Sequence, residues 1–380
     1  MIKLFISGDF CPQDRISQNI ENNNTKEILK DFYDIISHSD YSITNFEYAI
    51  GKQDWGITKV GPVLYANESS IHFLKDVGFQ CVTLANNHFF DCGQKGVTNS
   101  IDILKRYGID YVGGGKIQKE ASDILYKTIK GVKIAFINAC EHEFSIANSQ
   151  HGGSNPIDII DISHAIKTAK AEAEYVILIT HSGIEGYQLP TPNMQRKYRY
   201  FIEEGADIVI NHHQHCYSGY EIYNGKYIFY GLGNFCFDEQ TPRQSQSWYE
   251  GFALQIEVGN GNIHPTLIPY IQCKEHPTVN ILKDDESFRN NIEKLNDIIA
   301  SPKQIEDEFD KYVKSIHPLV TFTPYKWRIL KSLYIRNLFP SFLSKIQKLK
   351  ILNFTRCESH HEVLQRYLTL YYNEKFLNEK

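Results

Sequence analysis

Short apolar runs that stop abruptly on a metal-ligating side chain recur along this chain, and they constrain its fold more than any other feature. Residues 206–210 read as a buried strand and end in Asn211-His212-His213-Gln214-His215, three histidines within four positions. Neutral imidazole is the commonest metal ligand among side chains. His213 and His215, two apart just past a strand, are placed to grip one ion or two neighbouring ones. The run 3–7 leaves through Gly8-Asp9-Phe10, which sets Asp9 as a hard oxygen ligand. The run 41–46 ends on Glu47, suited to bridge two cations, and 80–84 ends in Ala85-Asn86-Asn87-His88. There the Asn87 amide offers a neutral oxygen, and His88 can give a proton to a leaving oxygen. The run 175–180 ends on His181. Singly, each has a plainer reading as a turn aspartate, a solvated strand-end charge or a structural histidine. Five such strand ends in one chain outweigh those readings.

Between the runs the spacing is helical. Helices are predicted over 26–36 behind Thr25, over 69–77 between Ser69 and Gly78, over 94–107 before Gly108, over 162–172, and over 192–204 before Gly205. Hairpins come later: 124–129 with 133–138, 220–223 with 226–230 around Asn224-Gly225, and 252–258 with 262–270. Alternating strands and helices, with ligand-bearing loops at one sheet edge, predict a layered α/β fold. Oxygen and nitrogen ligands without paired thiolates suit Mn, Fe, Zn or Mg. Asp9, Glu47, Asn87, His181, His213 and His215 suffice for two ions sharing Glu47, a pair able to activate water for in-line displacement at phosphorus. Two weaker candidates for substrate contact are Lys59, in the loop 54–63 where a solvated lysine is the plainer reading, and Glu185, shortly after His181. Glu141-His142-Glu143 is expected at the rim. Gly113-Gly114-Gly115 lacks the spacing of a nucleotide-binding loop.

The net charge of −5 conceals an asymmetry. Residues 311–380 carry 13 Lys/Arg against 4 Asp/Glu, and the preceding part 27 against 41. Residues 1–275 are expected to form the main domain and 280–380 a basic helical C-terminal extension. Between Lys311 and Cys357 there is no acidic residue, while Trp327, Leu330, Leu333, Tyr334, Leu338, Phe342, Leu343, Ile346 and Leu349 recur at helical spacing, broken by Pro340. Packing on the main domain with a solvated basic face is the expectation favoured. Peripheral contact with an anionic membrane surface is the alternative. No nucleic-acid motif is present. The eight cysteines are scattered without paired spacing, as reduced thiols in a cytoplasm would be. The chain opens directly on a core strand, and no run is long enough to span a bilayer. The expected location is therefore cytoplasmic, possible contact being at the inner membrane face.

The order of strand-Gly-Asp, Asn45-Phe46-Glu47, Leu84-Ala85-Asn86-Asn87-His88, His181-Ser182-Gly183-Ile184-Glu185, Gly205-Ala206-Asp207, Asn211 to His215, and Tyr230-Gly231-Leu232-Gly233-Asn234-Phe235 resembles calcineurin-like metallophosphoesterases. More closely it resembles the bacterial capsule-synthesis CapA family of the poly-γ-glutamate type, over residues 3 to 240. The resemblance implies a four-layer α/β/β/α sandwich. It implies that Asp9, Glu47 and His215 hold one divalent metal, that Glu47, Asn87, His181 and His213 hold a second, and that His88 meets the phosphoryl group and protonates the leaving oxygen. It implies a hydrolase site acting on a phosphoester or an anionic polymer, alongside a capsule-synthesis membrane complex. A non-catalytic assembly or transport role is the alternative. The chain departs from the superfamily pattern at Cys11, where a histidine is usual, at Glu47, where the bridge is usually Asp, and at His212, where glycine is usual.

Overall fold

The computed structural model describes residues 1–239, 245–316 and 344–372. Two sheets lie face to face. The first has eight strands, in the order Val279–Ile281, Asn262–Gln272, Glu250–Gly259, Ile2–Cys11, Tyr41–Phe46, Cys81–Thr83, Asp110–Val112, with Asn234–Phe237 also paired to the end of Ile2–Cys11. The second has six, in the order Tyr220–Tyr223, Lys226–Phe229, Ile208–His212, Tyr175–His181, Val132–Cys140, Leu125–Ile129. In each, the central strands run parallel.

Strand alternation builds the layers. On Ile2–Cys11, the side chains of Ile2, Leu4 and Ile6 enter the core between the sheets, where they join Ile43, Phe136 and Ile177. Phe5 points the other way, among Phe32, Phe79 and Phe235. That outer face is covered by the helices Asp14–Glu21, Ser69–Val77 and Gly93–Tyr107 through Ile16, Ile71, Leu74, Val97 and Leu104. The second sheet is covered by Ile159–Glu172, Pro192–Glu203 and Glu286–Ala300 through Ile166, Tyr198, Phe201, Ile292 and Ile299. The result is a four-layer α/β/β/α sandwich with further helices at the C-terminal end.

Most predicted elements fall within a few residues of their expected bounds. The exception is the helix expected over 26–36, which is a turn, a 3-10 segment Lys30–Phe32 and a short helix Tyr33–Ser37. The cause is a competing backbone bond: the Ile28 carbonyl accepts from Val279 N at 2.7 Å, so Phe32 N turns to Leu29 O instead. Helix Asp14–Glu21 has no counterpart in the expectations. It is anchored by Arg15, whose guanidinium donates to Asp238 at 2.7 Å and to the Cys273 carbonyl.

The last strand, Val279–Ile281, pairs with Asn262–Gln272, and helices take over from Glu286. Helices Pro302–Ser315, Lys345–Arg356 and Glu358–Tyr372 follow. The basic, apolar positions from Trp327 to Leu343 lie outside the described residues. Among the described residues, no helix is long and apolar enough to cross a membrane. The last helix docks beside the strand ends. Glu358 accepts from His142 N at 3.0 Å, Glu362 accepts from Asn193 N at 3.0 Å, and Val363 packs with Ile184, Phe309 and Val313.

One docking contact titrates near neutrality. Glu141 is buried and accepts from the Ser359 hydroxyl at 2.7 Å. Burial, with Glu358 nearby, pushes its carboxyl from the usual 4.5 up to about 7. A carboxyl raised on folding contributes stability that is full below its unfolded value and is lost as pH rises through the folded one. In chelator-treated protein, urea unfolding should therefore show wild type losing about 1–3 kcal/mol relative to Glu141→Gln between about pH 5 and about pH 8. Parallel pH profiles for the two proteins would refute this.

Candidate metal centre

The parallel strands of both sheets end on the same edge, and the ligand-type residues meet there. Asp9 sits where the Ile2–Cys11 ladder breaks register between Ile6 and Asp9 and again between Asp9 and Phe10. Such a bulge re-aims a side chain. Gly8 makes it possible, because a Cβ there would come within 1.9 Å of the Gly233 carbonyl. On the opposite sheet, His213 and His215 adopt left-handed backbone, φ +91° and +53°. Non-glycine residues hold that conformation at a cost of order 1–3 kcal/mol and only when the surroundings enforce it.

Asn211 is the enforcement. Its Oδ1 accepts from Thr180 Oγ1 at 2.8 Å and Tyr198 OH at 2.7 Å. Its two Nδ2 hydrogens are shared among the carbonyls of Ser182, His212 and Tyr230, at 2.8 to 2.9 Å. The amide is fully buried and fully used.

Glu47 lies at the centre. It is buried, and neither carboxylate oxygen has a hydrogen-bond partner among the described residues. Its Oε1 lies 3.6 Å from His181 Nε2 and 3.5 Å from His215 Nε2. Burial, and behind it the charge of Asp9, push the Glu47 carboxyl well up. Asp9 goes the other way. Its burial is outweighed by His212, His215 and Asn45, so it is held below the usual carboxylate range. Asn45 Nδ2 donates to Asp9 Oδ1 at 2.8 Å, and His212 Nδ1 lies 3.2 Å from the same oxygen. His215 Nδ1 meets Asn234 Oδ1 at 2.9 Å, which orients Nε2 toward Glu47. A ring N–H donated to a carbonyl oxygen is the usual support of a metal-binding histidine.

The residues fit a cation. His181 Nε2 faces Asn87 Oδ1 at 3.0 Å, His213 Nδ1 at 3.0 Å and Glu47 Oε1 at 3.6 Å. One ring nitrogen carries at most one hydrogen, so these approaches cannot all be hydrogen bonds. A positive ion among them would satisfy every lone pair and relieve the burial of Glu47. Ligand atoms of Glu47, His181 and His213 lie within 4.8 Å of one another, as do those of Asp9, Glu47 and His215. Burial pushes His213 down to about 4, and His181 well down, so both rings are neutral and able to bind.

His88 lies on the turn after Asn87, with Nδ1 2.6 Å from Asp91 Oδ2. Lys59 is not the solvated lysine its loop suggests. It is buried, with Nζ 2.6 Å from Asp91 Oδ1 and 3.1 Å from the Asn87 carbonyl. Glu185 is exposed at the rim. Glu143 comes closer than a rim residue, with Oε1 3.9 Å from His213 Nε2. Cys11 is buried in the aromatic core of the first sheet's outer face, its thiol pushed well up by burial.

The supporting residues Asn45, Asp91, Asn211, His212 and Asn234 were not predicted as site residues. Asn45 stands two before Glu47, on the same strand face, and Asp91 stands three after His88. Asn211, His212 and Asn234 stand in stretches that carry the resemblance, but the partners that give them a role, such as His215 for Asn234, are tertiary.

The model of the family described as bacterial capsule synthesis protein PGA_cap matches residues 3–239. The capsule biosynthesis protein CapA of Bacillus anthracis is 30% identical over 249 residues, which cover 63% of this chain and 61% of that protein. The PGA biosynthesis protein CapA of Bacillus subtilis is 29% identical over 300 residues, 75% of this chain and 79% of that protein. The calcineurin-like phosphoesterase YfkN of Bacillus subtilis overlaps 82% of this chain and 98% of its own at 14% identity, with a TM-score of 0.37.

Asn211→Ala should destabilise the protein by about 2–4 kcal/mol, since it strands several buried partners at once. Chemical denaturation measures this, and a loss within experimental error would show that Asn211 does not hold the histidine turn.

Proposed function

Because the chain belongs to the bacterial capsule synthesis protein family, we propose that it is a metal-dependent hydrolase, phosphoesterase-like, working in capsule or exopolysaccharide synthesis, with poly-γ-glutamate as the leading polymer. The observation that carries this is Glu47: a buried carboxylate with two unpaired oxygens, set between histidines from the opposite sheet. Asp9, Glu47 and His215 would hold one ion, and Glu47, Asn87, His181 and His213 a second. A bound divalent ion, Mn, Fe, Zn or Mg, supplies Lewis acidity and a water of lowered pKa.

The chain's own residues do the rest. Asp91 takes the His88 Nδ1 hydrogen and fixes the ring, leaving Nε2 free. Lys59 neutralises Asp91 and ties the turn to the Asn87 carbonyl, which positions the Asn87 side chain. Burial, and then Lys59, hold His88 below its usual value, so the resting ring is neutral. The negative charge of an entering substrate raises the affinity of Nε2 for a proton, and that proton is then held for the leaving oxygen. The substrate class is a phosphoester or an anionic polymer, with amide hydrolysis of a γ-glutamyl chain as a variant of the same chemistry. Partnership with a capsule-synthesis membrane complex, at the cytoplasmic membrane face and through the basic extension, belongs to the same reading.

Elemental analysis of wild type and His213→Ala tests it. About two ions per wild-type chain are expected, with fewer in the variant. A panel of phosphoesters and γ-glutamyl oligomers should then reveal metal-dependent turnover that falls about 10²–10⁴-fold in His88→Ala. Protein that takes up no metal when supplied with Mn or Zn, and turns over neither class, would sink the hydrolase. A non-catalytic assembly component would remain.

A further inference from the structure

A third group of ligand-type side chains borders the two sets around Glu47, its Glu143 Oε1 lying 3.9 Å from His213 Nε2. Ligand atoms of Glu143, Cys357 and His360 lie within 4.8 Å of one another. Glu143 follows strand Val132–Cys140, while Cys357 joins helices Lys345–Arg356 and Glu358–Tyr372, and His360 stands in the first turn of the latter. Only tertiary structure brings them together. Cys357 and His360 also lie outside residues 3–239, which match the family model.

Two observations point to a ligand. The Glu143 side chain is 10% exposed, and its carboxylate makes no hydrogen bond among the described residues. A carboxylate this buried is costly, and the charges of Lys59 and Arg356 offset that only in part, burial still pushing it up to about 7. Next, His360 Nδ1 meets the Asn353 side-chain nitrogen at 3.1 Å, while Asn353 Oδ1 is buried and unpartnered. Turning that amide by half a revolution gives its oxygen a partner. Asn353 Oδ1 then accepts from Nδ1–H, and the lone pair of His360 is left on Nε2, as in a supported metal-binding histidine.

We infer that Glu143, Cys357 and His360 form a zinc site of their own, clipping the C-terminal helix pair onto the edge of the main domain. One thiolate, one imidazole and one carboxylate are a zinc donor set, with a fourth position left for water or a substrate group. Binding replaces the Cys357 thiol hydrogen, now 3.4 Å (S to O) from Glu141 Oε2, with the metal and releases that proton to solvent. The inference does not rest on the hydrolase reading, because none of the three residues belongs to the ligand sets around Glu47.

Cobalt loading of the full chain tests it. A bound thiolate gives cobalt a near-ultraviolet charge-transfer band that oxygen and nitrogen ligands do not. The band is expected in wild type, retained in Cys11→Ser, and abolished in Cys357→Ser. Absence of the band in wild type, or its persistence in Cys357→Ser, overturns the site. Should Cys357→Ser fail to fold, His360→Gln decides. Zinc competition against a chromophoric chelator should show affinity for the thiolate-bearing site falling at least about tenfold, and unchanged affinity overturns the site.

Discussion

A carboxylate buried without a partner is the constraint around which this molecule is arranged. Glu47 is unfavourable in isolation, since burial and the neighbouring Asp9 both oppose its charge. The fold nonetheless encloses it, and it brings His181 and His215 from the second sheet to within 3.6 Å. The two sheets thus meet across their apolar core and also across a polar end. The residues that define that end are held from behind. Asn45 orients Asp9, Asn234 orients His215, Asp91 orients His88, and Asn211 braces the turn that carries His213.

Strain and support are matched at this edge. Two left-handed histidines, one residue apart, would relax if the loop were free, and the hydrogen bonds of one buried asparagine prevent it. His213 and His215 are therefore held in a braced turn just past a strand end, which suits side chains that must hold position within fractions of an ångström.

Much of this was legible in the primary structure. The strands announced themselves as apolar runs, the glycine stops placed most helix ends, and Asn224-Gly225 marked its hairpin. The six ligand-type residues all stand at strand ends, where polarity changes abruptly. What escaped was tertiary. The helix over 26–36 gave way because a carbonyl was claimed by a strand some 250 residues later. Lys59 read as solvated because nothing local announces Asp91 beneath it. Glu143 read as rim because its neighbours Cys357 and His360 belong to helices more than 200 residues away. Local pattern reports which face a residue occupies, and it is silent on which distant side chain meets it there.

The strand order has a consequence for how the chain is made. Ile2–Cys11, which is made before every strand it pairs with, ends up in the middle of its sheet. Tyr41–Phe46 can pair with one side of it early. The other side waits for Glu250–Gly259 and Asn234–Phe237. Through most of synthesis, an apolar strand therefore stands with one edge bare, an invitation to pair with the wrong chain. The late hairpin Glu250–Gly259 with Asn262–Gln272 closes that edge, and substitutions that weaken it would lower the yield of folded protein more than the stability of what does fold.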